Sequence, residues 1–311
     1  MSADWIVVGP EVAAAGAAGT PVVALESTLI SHGLPYPENL AVARASEAAV
    51  RESGAVPATV AIRDGRMLVG LGDGDLEALA TAPPGTVRKA ARPSLAAALA
   101  GGGWAATTVS ATMIGAHQAG IRVFATGGIG GVHRGALSGP AARPPTLDIS
   151  SDLEELARTP MAVVCAGPKA ILDVPATLEY LETRGVPVVT IGQDELPGFY
   201  ARSSGLRSPL AVGTVEEAAA IARLQLGSGL GGMLVCVPAP AADALPDDLA
   251  RDAIERAVRE AGAAGIAGPA LTPWLLARIA VLTDAASVRA NTALIVNDAR
   301  VGGRLAAALA G

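Results

Sequence analysis

The sequence predicts an α/β fold built on a buried, mostly parallel β-sheet that helices cover on both faces. Short apolar runs alternate with stretches of helical periodicity along the chain, which is typical of βαβ units. The runs are continuously apolar, as expected for strands buried on both faces. One segment, Arg63-Asp-Gly-Arg66, has the composition of a hairpin turn and adds an antiparallel pair, so the sheet is expected to be mixed.

In chain order, the apolar runs predict strands at residues 21–25, 59–62, 67–69, 121–125, 161–165, 187–191 and 233–237. Helical periodicity predicts helices at about 39–53, 175–184 and 215–226, and an almost entirely helical C-terminal region from Pro246 onward. No break in composition marks a linker, and the most loop-like segment, residues 138–145, is short. We therefore expect a single domain over residues 1–311.

Composition narrows the class of protein. A chain of 311 residues, 51% of them apolar, can form a large core and is too apolar to be disordered. Its net charge of −6, without a basic stripe, argues against a nucleic-acid partner. Prolines and an arginine interrupt the most apolar stretch, 266–282, and the N-terminus lacks a signal-peptide pattern. With Cys165 and Cys236 expected as buried thiols, the sequence indicates a soluble cytoplasmic protein without a membrane partner.

Polar clusters follow three of the predicted strands. Glu26-Ser-Thr28 follows the first strand, residues 126–133 follow the strand at 121–125, and Ala166-Gly-Pro-Lys169 follows the strand at 161–165. Ligands collect at the carboxyl ends of parallel strands, so the three clusters are expected to meet at one edge of the sheet. Glu26 could be a buried general acid there, or a carboxylate bonded to a neighbouring turn.

Lysine is rare in this chain, which makes its two lysines informative. Of the 23 basic residues, only Lys89 and Lys169 are lysines. An amine can lose its proton and act as a nucleophile, whereas a guanidinium stays charged. Pro168 is expected to open a helical turn with Lys169 at its positive end, and apolar flanks add to this in favouring the neutral amine. Two alternatives remain. Lys169 could be a surface lysine without a role, and the presence of only two lysines could be due to chance.

Two glycine-rich segments are compatible with phosphate binding. The loop at residues 126–131 could offer backbone N–H groups to a phosphate, although a tight turn needs glycines too. Residues 227–232 spell G-x-G-x-x-G, but they follow a helix and precede a strand, the reverse of the dinucleotide-binding order. We interpret the second segment as the C-terminal turn of a helix.

The segment Asp148-Ile-Ser-Ser-Asp152 precedes a predicted helix. Asp148 lies outside that helix and is free to bind a hard cation through oxygen. Ser151 or Asp152 is equally well explained as the N-cap of the helix. His32 and His117 lack ligand spacing to other His or Cys residues, so we expect no zinc site.

Long motifs are spread over nearly the whole chain. They are Ala24-Leu-Glu-Ser-Thr28, Ser31-His-Gly-Leu-Pro-Tyr-Pro-Glu-Asn39, Thr108-Val-Ser-Ala-Thr-Met113, Thr126-Gly-Gly-Ile-Gly-Gly-Val-His-Arg-Gly135, Asp148-Ile-Ser-Ser-Asp-Leu153, Cys165-Ala-Gly-Pro-Lys169, Leu178-Glu-Tyr-Leu-Glu-Thr-Arg-Gly-Val-Pro187 and Asn291-Thr-Ala-Leu-Ile-Val-Asn297. Together these motifs resemble those of the pseudouridine-5′-phosphate glycosidases, also called indigoidine synthase A-like proteins.

The resemblance implies reversible cleavage of the C–C bond of pseudouridine 5′-phosphate to uracil and ribose 5-phosphate, by an enzyme of the hydro-lyase class in pseudouridine breakdown. It also implies a three-layer α/β/α sandwich, a homotrimer and a divalent cation, most often Mn²⁺. By motif, Lys169 takes the place of the nucleophile that forms a Schiff base with the sugar, Glu26 of the proton donor and Asp148 of the metal ligand. The implied substrate-contacting residues are Lys89, Val109, Thr126, His133, Ser150, Asp152 and Asn291.

The implied chemistry suits these residue types. A C-glycoside has no leaving oxygen or nitrogen to protonate, so the paired carboxylates of ordinary glycoside hydrolysis do not suffice. An iminium on Lys169 supplies an electron sink next to the bond that must break, while Glu26 can give and later accept a proton. Lys89 and the glycine-rich loop would hold the 5′-phosphate.

Two departures from the family pattern leave the substrate open. After Lys89 the chain reads Ala-Ala-Arg-Pro-Ser94, where the family has a more polar string, and an insertion containing residues 138–145 separates His133 from Asp148. Two alternatives therefore remain beside the leading hypothesis. One is a Schiff-base lyase that acts on a different C-nucleotide, and the other is a non-catalytic nucleotide-binding accessory protein.

Overall fold

A computed structural model of the chain describes residues 4–137, 145–266 and 271–311. Its strands are three to eight residues long. They are β1 (Ile6–Val8), β2 (Val22–Leu25), β3 (Val56–Arg63), β4 (Arg66–Val69), β5 (Arg88–Ala90), β6 (Trp104–Thr107), β7 (Val123–Ala125), β8 (Ala162–Cys165), β9 (Val188–Ile191), β10 (Leu210–Val212) and β11 (Met233–Cys236).

The helices lie between the strands and after the last of them. They are α1 (Pro10–Ala18), α2 (Glu38–Glu52), α3 (Asp73–Ala80), α4 (Leu95–Ala100), α5 (Val109–Gln118), α6 (Ser151–Arg158), α7 (Val174–Thr183), α8 (Val215–Gly227), α9 (Asp247–Ala263), α10 (Leu271–Leu282) and α11 (Ala286–Ala310). A π-helix (Leu29–Gly33) follows β2, and a short 3₁₀ helix (Arg92–Ser94) follows β5.

The strands form one mixed sheet in which parallel pairs predominate. Its main order is β1-β4-β3-β2-β7-β8-β11-β9-β10, and β6 pairs with β3 and with β5. From β3 through β2 to β10 every neighbouring pair is parallel. The antiparallel pairs are those of β3 with β4 and with β6. The predicted hairpin is confirmed, because Asp64 and Gly65 at its tip both have positive φ, as a type I′ turn requires.

Helices cover the parallel section on both faces. Successive residues of a strand point to opposite faces. Phe124 of β7 and Val163 of β8 accordingly pack with the core that includes α5, α6 and α7, whereas Ala125 and Val164 pack with α2, α8 and α11. This arrangement confirms the predicted α/β sandwich and places Cys165 and Cys236 in its core as buried free thiols.

The C-terminal helices α9 and α10 pack with the first turns of α11 and with segments that follow the strands. Ile254 of α9, Ile279 of α10 and Leu294 of α11 share one apolar cluster with Phe199 and Tyr200, from the long connection between β9 and β10. The predicted helical C-terminal region is therefore confirmed for the described residues. The predicted loop at 138–145 lies outside the described residues, apart from Pro145.

Among the described residues, no single helix has the length and apolar composition of a membrane span. The bent pair α10 and α11, with 117° between them, meets the criteria of length and composition only when the two are taken together.

Candidate active site

The strand order brings the three predicted polar clusters together. Strands β2, β7 and β8 are parallel neighbours, with Leu25 opposite Ala125 and Ala125 opposite Val164. Each cluster begins directly after its strand, so Glu26, Thr126 and the segment leading to Lys169 leave the sheet at the same edge. The convergence expected from the sequence is confirmed in the structure.

Backbone pairing between β7 and β8 continues beyond the two strands and fixes the position of Lys169. The Ala166 N–H donates to Gly127 O at 3.1 Å, the Ile129 N–H to Gly167 O at 3.2 Å, and the Lys169 N–H to Ile129 O at 3.1 Å. We call the segments 126–129 and 166–169 the extended ladder. Lys169 is thus held by sheet-like hydrogen bonds on the continuation of β8.

The predicted helical turn at Lys169 is wrong. Pro168 forms a parallel bridge with Ile129, and Lys169 opens a reverse turn in which the Leu172 N–H donates to Lys169 O at 3.0 Å. The helix begins only at α7, with Asp173 as its N-cap. Pro168 pairs instead of starting a helix because its missing N–H is not needed in the ladder, where the N–H of Lys169 makes the bond.

The site is a cavity with two lobes that meet at five shared residues. The apolar lobe has a volume of about 260 Å³ and the polar lobe about 200 Å³. The residues common to both are Glu26, Thr28, Lys89, Lys169 and Thr272. The apolar lobe is further defined by Leu29, Ile30, Thr126, Phe199, Leu276, Asn291 and Ile295. The polar lobe is further defined by Thr108, Val109, Gly130, His133, Ser150, Ser151 and Asp152.

Glu26 lies at the junction of the two lobes, where it is reached only partly by solvent. Burial raises the pKa of its carboxyl above the ordinary value, and the Lys169 charge and the hydrogen bond from the Thr126 hydroxyl to Oε1 oppose this rise. A carboxyl with a raised pKa keeps its proton at higher pH than usual and is suited to donate it. The alternative of a carboxylate bonded to a neighbouring turn is confirmed by the bond from Thr126, whereas the role of general acid stays a prediction.

Lys89 enters the cavity from a different part of the sheet. It lies on β5, in register with Ala106 of β6. Although part of the side chain is exposed, burial of its ammonium and the nearby charge of Lys169 lower the pKa of Lys89 below the ordinary value. Both lysines of the chain therefore reach one cavity, close enough to influence each other electrostatically.

Asp152 links three elements beneath the polar lobe. Its Oδ1 accepts the Ser110 N–H and its Oδ2 accepts the Gly130 N–H, each at 3.0 Å. The carboxyl thereby joins α5, the glycine-rich loop and α6. The N-cap of α6 is Ser150, whose Oγ accepts the Asp152 N–H at 3.2 Å, so the predicted caps Ser151 and Asp152 are wrong by one and two residues.

The glycines of the loop at 126–131 are explained by close packing. A Cβ on Gly130 would collide with Ser150 Oγ and lie 2.9 Å from Asp152 Oδ2, and one on Gly128 would lie 2.9 Å from Gly167 O. The N–H of Gly130 is taken by Asp152, as described above. Of the two readings left open by the sequence, the structure favours the close turn. The segment 227–232 ends α8 and leads into β11, as predicted.

Asp148 lies beside the polar lobe without lining it. Its carboxylate is about half exposed (49%), and Oδ2 is 3.9 Å from His133 Nδ1. Within the residues that the structure describes, no three His, Cys, Asp or Glu side chains converge on one point. A single accessible carboxylate still fits a cation such as Mn²⁺, which prefers oxygen donors and can retain several waters.

The structure brings nine of the ten candidate residues to the cavity wall, with Asp148 adjacent. Phe199 also lines the cavity, although no sequence pattern predicts it; it has a positive φ of 65° and lies against Gly128. Thr272 and Leu276 of α10 are two further lining residues that were not predicted. Phe199 is one of only two phenylalanines in the chain, which was the one available signal.

The chain is similar to proteins of one family over almost its whole length. Residues 11–308 match the family model described as Indigoidine synthase A like protein. A protein of Paracoccus denitrificans named pseudouridine-5′-phosphate glycosidase is 55% identical over 306 residues, covering 98% of each chain. A protein of Solibacter usitatus with the same name is 54% identical over 300 residues, covering 96% of this chain and 97% of its own.

Two solved structures are similar in fold. The prealnumycin C-glycosynthase in complex with ribulose 5-phosphate has a TM-score of 0.89 and 38% identity, covering 99% of this chain and 98% of its own. An indigoidine synthase A-like protein from Thermotoga maritima has a TM-score of 0.84 and 32% identity, covering 98% and 97%. On these similarities, the chain belongs to the indigoidine synthase A-like family.

Proposed function

We propose that this protein is a pseudouridine-5′-phosphate glycosidase that reversibly cleaves its substrate to uracil and ribose 5-phosphate in pseudouridine breakdown. The observation that carries the proposal is the meeting of Glu26 and Lys169 at the junction of an apolar and a polar lobe. The names of the relatives from Paracoccus denitrificans and Solibacter usitatus support the same activity.

In the proposed reaction, Lys169 Nζ attacks C1′ of the ribose, and O4′ leaves with a proton from Glu26, which opens the ring. Glu26 regains a proton from the lysine nitrogen. The C1′–C5 bond then breaks: its electron pair stays with C5 of uracil, which takes the proton, while the nitrogen lone pair forms the C1′=N imine. Water hydrolyses the imine to ribose 5-phosphate and frees the amine.

The two lobes suit the two ends of this substrate. We place the base in the apolar lobe, where Phe199 and Ile295 offer apolar surface and the Asn291 amide can bond to a pyrimidine edge. We place the phosphate in the polar lobe, near Lys89 and the N-terminus of α5 at Val109, because helix N-termini and ammonium groups attract anions. The sugar carbon then lies at the junction.

The cation and the assembly are part of the proposal, because the family resemblance implies both. Asp148, with His133 nearby, would hold Mn²⁺ beside the polar lobe. A cation bound there supplies positive charge that offsets the charge of the phosphate. We also propose that the chain forms a homotrimer, and sedimentation equilibrium would give three chain masses if it does.

Borohydride trapping tests the imine. The protein is incubated with ribose 5-phosphate and Mn²⁺, reduced, digested and analysed by mass spectrometry. We expect a pentose-phosphate adduct on the peptide that contains Lys169, and no adduct in the Lys169→Arg variant, since a guanidinium does not form the imine. Lys89→Arg is the matched control, because it removes the only other lysine of the chain and leaves Lys169 in place.

Two outcomes would contradict the proposal in different ways. An adduct that appears on Lys89 and survives Lys169→Arg would assign the imine to the other lysine. Absence of any adduct, with no condensation of uracil and ribose 5-phosphate, would favour the non-catalytic accessory protein.

A second candidate activity keeps the Lys169 imine and changes the base. It is favoured by the structural similarity to the prealnumycin C-glycosynthase, which is 38% identical to this chain. Comparing kcat/KM on pseudouridine 5′-phosphate with that on other C-nucleotides separates the two. A higher kcat/KM on another C-nucleotide would show that the preferred substrate carries a base other than uracil.

A further inference from the structure

Asp298 is a carboxyl buried in the core without a hydrogen-bond partner of its own. It lies in α11 and is fully inaccessible to solvent. Among the described residues, neither of its oxygens makes a hydrogen bond that satisfies both distance and angle. An unpaired polar group in an apolar interior lowers stability, so its presence calls for an explanation. The reaction proposed above does not use Asp298.

The position of Asp298 on α11 directs it toward the extended ladder. A Cβ on Gly127, in the ladder, would lie 3.3 Å from Leu294 Cδ1, and one on Gly302 would lie 3.0 Å from Ala125 at the end of β7. Leu294 and Gly302 are one turn before and one turn after Asp298 and share its helix face. The carboxyl therefore lies between two close contacts of α11 with β7 and the loop that follows it.

The group next to the carboxyl is the first link of the extended ladder. The Ala166 N–H lies beside Asp298 and donates to Gly127 O at 3.1 Å. Burial, together with the nearby Cys165 thiol, raises the pKa of Asp298 well above its ordinary value. In its neutral form the carboxyl has both an O–H donor and a carbonyl acceptor, like a primary amide.

We propose that Asp298 is a positioning residue, whose carboxyl shares the Ala166 N–H, braces the extended ladder and so holds Lys169 in place relative to Glu26. It touches no substrate and transfers no proton. The catalytic consequence rests on the proposed function, whereas the bracing of the backbone does not. An amide of the same shape should preserve the brace, and an apolar side chain of similar size should remove it.

Three variants of the full-length protein test this inference. Asp298→Asn keeps a neutral polar head, and Asp298→Leu fills the same space without one; Asp298→Ala takes the place of the leucine variant if that variant does not fold. Leu305→Ala is the matched control, because Leu305 is also fully buried on α11, seven residues further on. Leu305→Ala should lower the melting temperature and leave hydrogen exchange in the extended ladder unchanged.

Two readouts are combined. Hydrogen exchange measured by mass spectrometry reports on peptides covering residues 126–136 and 165–172. Steady-state kinetics with pseudouridine 5′-phosphate give kcat and KM separately. For Asp298→Leu we expect faster exchange in both peptides and a kcat at least about tenfold lower, with KM changed less than about twofold. Asp298→Asn should keep the exchange rates of the parent and a kcat within about threefold of it.

The inference is overturned if Asp298→Leu exchanges like the parent at both peptides, or if Leu305→Ala accelerates the same peptides as strongly. It is equally overturned if Asp298→Asn is as impaired as Asp298→Leu. If the parent itself turns over no pseudouridine 5′-phosphate, the proposed function fails, and the exchange data still decide whether Asp298 braces the ladder.

Discussion

At the scale of single residues, Glu26 is subject to opposing effects. Burial raises its pKa, whereas the charge of Lys169 and the hydrogen bond from Thr126 lower it. Removing the hydroxyl in Thr126→Val deletes a favourable bond to the ionised form, so the pKa of Glu26 should rise further. If protonated Glu26 opens the sugar ring, activity falls as pH rises through this pKa, and the variant should keep its activity to higher pH than the parent.

The measurement is the pH profile of kcat for Thr126→Val and the parent, with Glu26→Gln as a reference. Glu26→Gln should lose about 10²-fold or more of kcat, since it can neither give nor accept the proton. Thr28→Val is the control, because the Thr28 hydroxyl donates to Thr107 O and not to Glu26. A descending limb that moves to lower pH in Thr126→Val would disprove the assignment.

The sequence could single out residues whose chemistry is unusual for this chain, and it missed those whose role depends on position. Lys169 stands out because lysine is rare here and because it follows an apolar strand. Phe199 belongs to the long connection between β9 and β10, and only tertiary packing brings it against Gly128. The type of each residue is known from the sequence itself, whereas contacts between distant loops are known only from the folded structure.

At the scale of elements, the turn after the extended ladder is held by Arg134. Its Nη2 donates to Ala170 O at 3.2 Å and its Nε to Leu172 O at 3.3 Å, so one guanidinium bridges two carbonyls that follow Lys169. We expect Arg134→Ala to lower kcat by about 10- to 100-fold, because small displacements of a reacting group are costly. Arg134→Lys should recover little, since an ammonium lacks the planar fork.

Arg158→Ala serves as the control for Arg134→Ala. Arg158 is a half-exposed arginine whose described partner is Glu154, at 3.2 Å, and it lines neither lobe. Steady-state kinetics and the yield of trapped imine should be unchanged in this variant. If kcat falls equally in the two variants, the loss comes from removing an exposed arginine in general and not from the bridge to the two carbonyls.

Close packing of the glycine-rich loop gives a second expectation at this scale. Gly130→Ala would place a methyl group against Ser150 and Asp152 and should destabilise the protein by about 1–3 kcal/mol, as overpacking does. Gly16→Ala, in an open position within α1, should instead stabilise it by about 0.5–1 kcal/mol. Guanidinium unfolding of both variants measures the difference. If Gly130→Ala leaves the free energy of unfolding unchanged, the loop moves enough to make room for the added methyl group.

The elements that the sequence predicts best are those whose pattern is strong and local. The central strands β7, β8 and β11 are continuously apolar and were predicted within two residues of their ends. Strand β5, with the sequence Arg-Lys-Ala, is short and polar and forms only because β6 pairs with it. The helical turn expected at Pro168 was replaced by sheet pairing, because tertiary hydrogen bonds override a local preference.

At the scale of the whole molecule, a buried acid makes stability depend on pH. The pKa of Asp298 is raised in the folded protein, chiefly by burial, above the value near 3.8 that an exposed aspartate has. Between that ordinary value and the raised pKa, the folded state binds more protons than the unfolded state, so the free energy of unfolding falls as pH rises. The limiting slope for one proton is about 1.4 kcal/mol per pH unit.

Asp298→Asn removes this proton and leaves the other titrating groups in place. The free energy of unfolding of Asp298→Asn relative to the parent should therefore grow as pH rises from 5 toward 8, and guanidinium titrations at constant ionic strength measure it. Glu260→Gln is the control: Arg278 and Arg256 lower the pKa of Glu260 to about 2, so its contribution is complete above pH 5 and stays constant. A difference for Asp298→Asn that is equally constant from pH 5 to 8 would mean that Asp298 carries no retained proton in the folded protein, and that the core accommodates the charged carboxylate.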